Sequence, residues 1–394
     1  MCRLNTLYLS IIKLNKHRYY LKFWFMHQLN LSKNTEKKLI KTLSYQTFAQ
    51  KLLEPATFDY FAGASSDEIT LKANQTDFQN LKIVPSMLND VSNINLKTTI
   101  LGTTIATPIM LAPVAFQSLA YPNGEIETAK ASSLLKTIMI LSTLSTTSLE
   151  DVVKFNPEFS WFQLYVFQDK KINLDLITRA KEAGYKAIVV TVDSQYSGKR
   201  ERDWLNNFNL PNHLKLANLT NYQFAKSQNK TSSWLHNFID DNYDKSFTWN
   251  DLESLINSAQ LPVFIKGILN VNDAHKAKSI GASGIIISNH GGRSIDTAIT
   301  SIQALENIGS KVNSPEFVII LDSGIRRGTD IFNALALGAK AVCIGRPYIW
   351  GLAIEKAQGV VKIVDILNAE LTTTMGLAGV NDVNKITSEY LSHA

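Results

Sequence analysis

The sequence predicts an α/β domain folded as a (β/α)8 barrel. Short apolar runs of the strand type recur eight times between residues 108 and 344, and most of the gaps between them hold one helix-type stretch. Strands that alternate with helices form parallel sheets, and eight such units in about 250 residues are typical of a closed barrel. A doubly wound open sheet is the structural alternative, but no Gly-x-Gly-x-x-Gly motif follows the first strand.

Most of the predicted strands end in polar or glycine-containing residues, and the first runs into Ala-Pro-Val-Ala at residues 112–115. The strands are predicted at residues 108–111, 138–141, 161–165, 187–190, 263–265, 284–287, 317–321 and 341–344. Helices are predicted at residues 125–135, 174–183, 271–280 and 329–337. Because barrel enzymes place their active sites at the carboxyl ends of the strands, these strand ends are where the sequence predicts the functional site.

The sixth strand ends in the most informative segment of the chain, Ser-Asn-His-Gly-Gly-Arg at residues 288–293. His290 can take up a proton near neutral pH, and Arg293 can bind a carboxylate through two parallel hydrogen bonds. The two glycines between them permit a sharp turn and the close approach of a ligand. A surface loop is the alternative interpretation, but the strand-end position favours an enzyme that removes a proton from an acid substrate.

Composition is typical of a large globular domain. Hydrophobic residues make up 45% of the chain, and no apolar run approaches the roughly 18 to 20 residues of a membrane span. The two cysteines, Cys2 and Cys343, cannot form a disulfide framework, and Cys343 lies within an apolar strand. We therefore expect a reducing compartment, with Cys343 as a small core residue.

The positive net charge comes from the beginning of the chain. Residues 1–35 contain six basic residues and no acidic one, which accounts for the whole net charge of +6. The neutral remainder gives no indication of nucleic-acid binding. We interpret residues 1–41 as a dispensable basic extension, which is a tail, a targeting segment or an overlong start before Met26. The barrel domain is predicted at residues 42–394.

A long gap separates the fourth and fifth predicted strands. It runs from Asp193 to Lys266, much longer than one helix needs, and its middle is rich in Asn, Lys, Ser and aromatic residues. Insertions at this face of a barrel are usually lids or oligomer contacts. We expect a lid at about 205–250, with a surface loop that has no catalytic duty as the alternative.

From about Tyr45 to Leu377 the chain resembles the FMN-dependent 2-hydroxy-acid oxidase and dehydrogenase family. The resemblance rests on the 288–293 segment together with Trp-Phe-Gln-Leu-Tyr at 161–165, Lys-Gly at 266–267 and Asp-Ser-Gly-Ile-Arg-Arg-Gly at 322–328. Residues 62–65, residues 197–203 and Ser323 resemble the lactate oxidase branch. Two positions depart from the family pattern: Ser294 stands where Gln is common, and Leu144 where plant glycolate oxidases have Trp.

The resemblance implies FMN as the cofactor and no metal. A flavin that accepts two electrons needs a positive neighbour, which Lys266 can supply, and a phosphate needs backbone amides and guanidinium groups. The implied phosphate residues are Gly324, Arg326, Gly345 and Arg346, from the last two strand ends. The other implied cofactor residues are Pro113, Val114, Ala115, Ser142, Gln163, Thr191, Ser288, Asp322, Ser323 and Ile325. Taken singly, Ser142, Thr191 and Ser288 are equally well explained as hydroxyls that cap strand ends.

The resemblance also assigns the substrate site. His290 is implied as the base at the α-carbon or hydroxyl of the substrate, and Asp193 as the carboxylate that stabilises its cation. Arg200 and Arg293 are implied to bind the substrate carboxylate. Tyr60 and Tyr165 are implied to donate hydrogen bonds. Core packing is the alternative for Tyr60, and a solvated charged surface is the alternative for Arg200.

Together these features predict an FMN-dependent oxidation of a small L-2-hydroxy acid, with L-lactate favoured, to the 2-oxo acid with reduction of O2 to hydrogen peroxide. The family alternatives are a dehydrogenase that uses a quinone or a cytochrome, and lactate 2-monooxygenase. More remote alternatives are a non-catalytic flavin-binding barrel and an FMN-dependent isomerase. The resemblance implies a homotetramer. We expect a cytoplasmic protein, with organelle targeting by the extension as an alternative.

Overall fold

The structure is a computed structural model that describes residues 39–224, 233–312 and 314–393. Nearly all of the predicted basic extension, residues 1–38, lies outside the described residues. Three helices precede the barrel: α1 (Thr42–Leu52), α2 (Pro55–Ala62) and α3 (Ile69–Thr76). Pro55 occupies the first position of α2, where its missing N–H would have no partner inside the helix. Helix α3 packs against the short turn His290–Gly292, and helix α1 packs against the long helix Arg346–Ala378.

Eight parallel strands close into the barrel, which confirms the predicted fold. They are β1 (Ile109–Leu111), β2 (Met139–Ser142), β3 (Ser160–Tyr165), β4 (Ile188–Thr191), β5 (Val263–Ile268), β6 (Gly284–Ile287), β7 (Val318–Asp322) and β8 (Ala341–Ile344). Each strand pairs with its neighbours in the sequence, and β8 pairs with β1 through Ile344 and Leu111. The carboxyl ends of all eight strands therefore meet at one rim.

The remaining described helices surround the barrel or belong to its loops. They are α4 (Gly124–Leu135), α5 (Leu149–Val153), α6 (Lys170–Ala183), α7 (Glu201–Leu205), α8 (Trp234–Asn242), α9 (Trp249–Ala259), α10 (Val271–Ser279), α11 (Ser301–Val312), α12 (Gly328–Ala336) and α13 (Arg346–Ala378). Helix α13 is interrupted by non-helical backbone at Glu355 and Lys356. Among the described residues, no helix combines the length and hydropathy that crossing a bilayer requires.

The barrel interior is filled by side chains and closed at its amino-terminal end. Alternate strand residues form one apolar cluster, which includes Met110, Trp161, Phe264, Ile286, Ile320 and Cys343. Two residues of an antiparallel hairpin, Ile100 and Ile105, belong to the same cluster and are almost fully buried. A second short antiparallel pair joins Leu81–Ile83 to Leu391–His393. Because the amino-terminal end is plugged, the open end is the rim that carries the polar strand ends.

Strand β5 extends beyond its predicted end. Lys266 and Gly267 lie within the strand, and the pairing with β6 shifts register between Lys266 and Ile268. Gly267 has φ 112°, and a Cβ there would lie 2.7 Å from the Cβ atom of Asp193. A bulge redirects the side chains next to it, and glycine is needed where backbone comes this close to another residue. The irregularity therefore seats Asp193 directly against the fifth strand.

The described part of the predicted insertion packs on the barrel. Leu235, Phe238 and Ile239 of helix α8 are buried, because the apolar face of this helix points inward. The backbone N–H of Gln168 donates to the carbonyl oxygen of Asn242 at 3.0 Å, which ties the end of α8 to the loop after β3. Residues 225–232 of the predicted lid lie outside the described residues.

Candidate active site

One large cavity opens at the carboxyl ends of the barrel strands, with about 1100 Å³ of empty space including its open mouth. We call it the strand-end cavity. It is lined by these residues of the sequence prediction: Tyr60, Pro113, Val114, Ala115, Tyr165, Arg200, Lys266, His290, Arg293, Asp322, Ser323, Gly324, Ile325, Arg326, Gly345 and Arg346. The fold thus brings together side chains that are up to 286 positions apart in the chain.

His290 is held at the cavity wall by a carboxylate and a hydroxyl. Its Nδ1 atom lies 2.9 Å from Oδ1 of Asp193 and 3.3 Å from Oγ of Ser194. Burial lowers the pKa of His290 below its ordinary value, the positive charge of Lys266 lowers it further, and Asp193 opposes both effects. The neutral imidazole is therefore favoured, which is the form that can act as a base.

Asp193 lies behind His290 and does not line the strand-end cavity. Burial alone would raise its pKa, but the charges of His290 and Lys266, with hydrogen bonds from His290 and Ser194, lower it to about 2. Asp193 is therefore ionised at neutral pH. It accepts the Nδ1 proton of the imidazole, and this leaves Nε2 as the basic nitrogen.

Two guanidinium groups give the cavity a positive wall. Arg200 is only 9% exposed, and burial and the charge of Arg293 lower its pKa. Nε of Arg200 lies 3.5 Å from Oδ2 of Asp203, and one of its Nη atoms donates to Ser197 at 3.1 Å. Arg293 donates to the carbonyl oxygen atoms of Tyr60 at 2.6 Å and of Gly63 at 2.9 Å. Two like charges that line one cavity, the first buried and the second half-buried, favour an anionic ligand.

Two tyrosine hydroxyls belong to the same wall. Tyr60 stacks on Phe208 with ring centroids 4.5 Å apart, and Tyr165 stacks on Tyr243 at 5.0 Å. Burial raises the pKa of Tyr60 to about 12, although Arg293 and Arg200 oppose it. Burial and the charge of Asp193 also raise the pKa of Tyr165 above its ordinary value. Both phenols therefore keep their protons and can donate hydrogen bonds.

Lys266 also lines the cavity and forms the centre of a buried polar group. Lys266 is 3% exposed, and its Nζ atom lies 3.7 Å from Oδ2 of Asp322. The same carboxylate oxygen accepts a hydrogen bond of 2.6 Å from Ser288. A buried ammonium paired with a single carboxylate provides a fixed positive charge, which suits a cofactor that gains negative charge.

The last two strand ends offer donors for a phosphate. Arg326 is directed into the cavity, and its Nη1 atom donates to the carbonyl oxygen of Ile325 at 2.8 Å. Burial lowers the pKa of Arg326 to about 10, against the charges of Asp330 and Asp322. Gly345 caps the amino terminus of α13, which is a favourable position for an anion. This donor set fits the phosphate of FMN, and Lys266 fits its ring.

Arg346 differs from the sequence expectation in one respect. Its guanidinium donates to the carbonyl oxygen atoms of Phe61 at 3.0 Å, Gly63 at 2.8 Å and Gly291 at 3.0 Å. These bonds connect the end of α2 to the loop that follows β6. The structure therefore gives the side chain of Arg346 a bridging function, and its predicted contact with a phosphate stays a prediction.

Four predicted cofactor residues lie one layer below the cavity wall. They are Ser142, Gln163, Thr191 and Ser288, all buried at or near strand ends and absent from the cavity lining. Gln163 donates to Thr191 at 3.0 Å and accepts from the N–H of Thr143 at 3.2 Å. Ser142 accepts from the N–H of Leu144 at 3.2 Å. These bonds agree with the alternative that the hydroxyls cap strand ends, and contact with the cofactor stays a prediction.

Sequence reasoning missed several residues of the site. Ser194 contacts the imidazole of His290, and its position directly after Asp193 could have indicated this. Leu235 and Ile239 line the cavity from helix α8. Their spacing of four residues is a helical signal, but the polar composition of the insertion obscured it. Leu144, noted only as a departure from a family pattern, also lines the cavity.

Comparisons with known proteins agree with this geometry. A profile of the FMN-dependent dehydrogenase family matches residues 49–393. A 2-hydroxyacid oxidase from Dictyostelium discoideum is 45% identical over 344 residues, covering 87% of each chain. An L-lactate oxidase from Nostoc sp. is 44% identical over 357 residues, covering 89% of this chain and 98% of the relative. Spinach (Spinacia oleracea) glycolate oxidase is 40% identical over 348 residues, covering 88% of this chain and 94% of the relative.

Solved structures show the same architecture. A soluble mutant of the membrane-associated (S)-mandelate dehydrogenase from Pseudomonas putida is 33% identical with a TM-score of 0.84, covering 90% of this chain and all of that one. A mandelate oxidase is 36% identical with a TM-score of 0.83, covering 90% and 98%. This chain belongs to the FMN-dependent dehydrogenase family, in the group that holds 2-hydroxy-acid oxidases and dehydrogenases. Its cofactor is FMN, as the resemblance predicts.

Proposed function

We propose that this protein oxidises a small L-2-hydroxy acid, with L-lactate favoured, to the 2-oxo acid and reduces O2 to hydrogen peroxide. The observation that carries the proposal is a single wall of the strand-end cavity. It presents the basic imidazole of His290 beside two guanidinium groups, those of the buried Arg200 and the half-buried Arg293. A 2-hydroxy acid carries the two matching groups, a carboxylate and a hydroxyl on the adjacent carbon.

The carboxylate of the substrate is proposed to bind Arg200 and Arg293. Their mutual repulsion lowers the pKa of Arg200, and an anion between them removes that repulsion. A carboxylate also matches the planar fork of a guanidinium group. The protonated hydroxyls of Tyr60 and Tyr165 complete the polar surface, because buried phenols need hydrogen-bond partners.

His290 is proposed to remove a proton from the bound substrate. Asp193 accepts the Nδ1 proton at 2.9 Å, which orients the ring and leaves the Nε2 lone pair as the base. After proton transfer the imidazolium is stabilised by the ionised carboxylate of Asp193. FMN, when bound, accepts the two electrons that leave the substrate carbon. The ammonium of Lys266 lines the same cavity and would supply positive charge to the bound cofactor.

The apolar part of the cavity supports a small alkyl substituent. Leu144, Leu235 and Ile239 line the cavity and are at most 8% exposed. A methyl group is stabilised by burial against such side chains by about 0.8 kcal/mol per carbon. This wall favours L-lactate over glycolate, which has no alkyl group to bury. The named L-lactate oxidase from Nostoc sp., matched over 98% of its length, supports both the substrate and the use of O2.

The proposal includes a cytoplasmic or organellar homotetramer. Large apolar side chains on the surface support an assembly, because Met87 is 68% exposed and Leu88 is fully exposed. Light scattering behind a sizing column would test this part. A mass of one chain, 43.9 kDa, would exclude the tetramer without affecting the proposed reaction.

A substrate panel tests the proposed reaction. Peroxide formation would be measured in air with L-lactate, D-lactate, glycolate, L-2-hydroxybutyrate and (S)-mandelate. We expect kcat/KM to be highest for L-lactate and negligible for D-lactate. A substrate whose carboxylate is held by the arginines presents only one face of its α-carbon to His290. Rapid reduction of a dye or quinone by L-lactate with little peroxide would instead identify a dehydrogenase. No oxidation of any member of the panel would contradict the proposed function.

A further inference from the structure

The loop that carries His290 has a strained backbone. His290, Gly291 and Gly292 have φ values of 59°, 65° and 77°, three consecutive residues in the left-handed region. Glycine adopts this region readily, whereas histidine does so only where its surroundings enforce it. Oγ of Ser288 accepts from the N–H of His290 at 3.0 Å, and Oγ of Ser323 accepts from that of Gly291 at 3.0 Å. These two bonds hold the first part of the turn.

A pair of buried amides holds the rest of the turn. Oδ1 of Asn289 accepts from the N–H of Gly292 at 3.2 Å and from Nδ2 of Asn74 at 2.8 Å. Nδ2 of Asn289 donates to Oδ1 of Asn74 at 2.7 Å and to the carbonyl oxygen of Ile299 at 3.2 Å. All four hydrogen-bonding positions of the Asn289 side chain are therefore used, two of them by Asn74.

Asn74 comes from helix α3, outside the barrel, and is 2% exposed. The helix is docked firmly on the loop that follows β6. Asp296 accepts from the backbone N–H groups of Ile69 at 3.3 Å and Thr70 at 2.9 Å. A Cβ on Gly292 would lie 2.8 Å from the backbone nitrogen of Leu71, so helix and loop are in direct contact there. Because α3 is fixed in this way, Asn74 can hold Asn289, and with it the loop, in one position.

We propose that Asn74 is a positioning residue for the reaction, which acts through Asn289 to hold the left-handed turn that presents His290. Neither amide lines the strand-end cavity, so neither is expected to contact substrate or cofactor. The inference rests on the proposed function of His290 as the base. A misplacement of a catalytic group by about 1 Å lowers a rate by on the order of 100-fold, so small movements of this turn have large effects.

The first test replaces Asn74 with Leu, which has a similar size and no polar atoms. The rate of anaerobic flavin reduction by saturating L-lactate should fall by about 10- to 100-fold. The FMN content and the dissociation constant of L-lactate should stay within about threefold of the wild-type values, since neither amide lines the cavity. Loss of lactate affinity with an unchanged reduction rate would contradict the inference.

The second test separates positioning from general damage. When His290 is already replaced by Gln, Asn74→Leu should not lower the residual reduction rate further, because the base that Asn74 positions is absent. Independent losses that multiply would contradict the inference. Normal reduction by the single His290→Gln variant would instead contradict the proposed function, so the two failures are distinguishable.

The third test uses Asn74→Asp, which keeps the shape of the side chain. Protonated, the carboxyl group can donate to Oδ1 of Asn289 as Asn74 does, whereas the carboxylate cannot. Burial and the carboxylates of Asp77 and Asp296 near α3 favour the protonated form, whereas Lys72 on α3 and Arg326, just after the Gly324 that contacts Asn74, favour the carboxylate. The reduction rate of the variant relative to wild type should therefore rise as pH falls. A ratio that is independent of pH, or that falls as pH decreases, would contradict the inference. This test can be made even if the Asn74→Leu variant does not fold.

Asn156→Leu provides a matched control. Asn156 is 1% exposed and donates to Ser132 at 2.9 Å near the amino-terminal end of the barrel, away from the cavity. We expect both Asn156→Leu and Asn74→Leu to lower the melting temperature, but Asn156→Leu should not change the rate of flavin reduction. Equal losses of reduction rate in both variants would show that buried amides matter here only for stability.

Discussion

Nδ1 of His290 lies 2.9 Å from Oδ1 of Asp193, although the two residues are 97 positions apart in the chain. The bulge in β5 makes the contact possible, because Gly267 leaves no side chain where Asp193 lies. One nitrogen of the imidazole is thereby committed to the carboxylate. The other is available as a base in a cavity that also holds Arg200 and Arg293.

Replacement of His290 by Gln should leave FMN bound and lower the rate of flavin reduction. The side chain keeps similar size and polarity but loses its basic nitrogen, and a general base contributes about 10²- to 10⁴-fold. Stopped-flow absorbance under anaerobic conditions measures the rate, and the flavin spectrum of the purified variant measures FMN content. Reduction within threefold of the wild-type rate would exclude His290 as the base.

Replacement of Asp193 by Asn should both slow the reaction and shift its pH dependence. The negative charge of Asp193 raises the pKa of His290, so its removal lowers that pKa further. In wild type we expect kcat/KM to fall as pH decreases through the pKa of His290, which lies below 6.5. In Asp193→Asn the acid limb should move to lower pH, with a plateau about 10²- to 10⁴-fold lower.

A complete pH profile of both proteins in buffers of constant ionic strength measures this shift. An acid limb at higher pH in Asp193→Asn would mean that Asp193 lowers the pKa of His290, which is the opposite of the effect assigned to it. An unchanged limb and plateau would mean that the carboxylate does not act on the base.

The two arginines are expected to differ when each is changed to Lys. Lys keeps the positive charge but loses the planar fork. Arg293→Lys should lower both the reduction rate and the affinity, because Arg293 lies three residues from the base and bonds the carbonyl oxygen atoms of Tyr60 and Gly63. Arg200→Lys should mainly weaken affinity, by about 10- to 150-fold for a charged hydrogen bond.

Reduction rates across a range of L-lactate concentrations separate these effects. Arg327→Lys is a suitable control, because that side chain is exposed and pairs with Glu370 outside the cavity. Wild-type behaviour of both cavity variants would mean that the carboxylate binds elsewhere.

Leu144 is expected to limit the size of the substrate. It is 3% exposed and lines the cavity, so Leu144→Ala enlarges the apolar wall. The ratio of kcat/KM for L-2-hydroxybutyrate over L-lactate should rise by about tenfold, since one methylene in a pocket changes specificity by about 10- to 200-fold. The melting temperature should fall, because a buried Leu→Ala change costs about 2 to 5 kcal/mol. An unchanged ratio would place the substrate alkyl group away from Leu144.

Much of the fold could be predicted because the barrel strands are short apolar runs with polar ends. The predicted runs at 284–287 and 341–344 coincide with β6 and β8. The end of β5 could not be predicted, because Lys266 and Gly267 look like loop residues when the bulge that keeps them paired is unknown. Helix α8 could not be predicted, because its apolar face is short and lies within a polar insertion.

The meeting of the candidate site residues in one cavity could be predicted from residue type and strand order, whereas the partners of individual side chains could not. His290, Asp193 and the arginines lie at strand ends, where barrel topology brings them together. The side-chain bonds of Arg346 to Phe61, Gly63 and Gly291 depend on how α2 is placed on the barrel, which no local pattern specifies. The same holds for the contact between Asn74 and Asn289, 215 positions apart.

The most direct measurement adds L-lactate to the purified yellow protein in the absence of oxygen and follows the flavin absorbance. The absorbance of oxidised FMN should have disappeared by the first spectrum recorded after manual mixing, and it should return when air is admitted. One peroxide and one pyruvate should then form for each lactate consumed. Flavin that stays oxidised with L-lactate and with every other 2-hydroxy acid of the panel would contradict the proposed function.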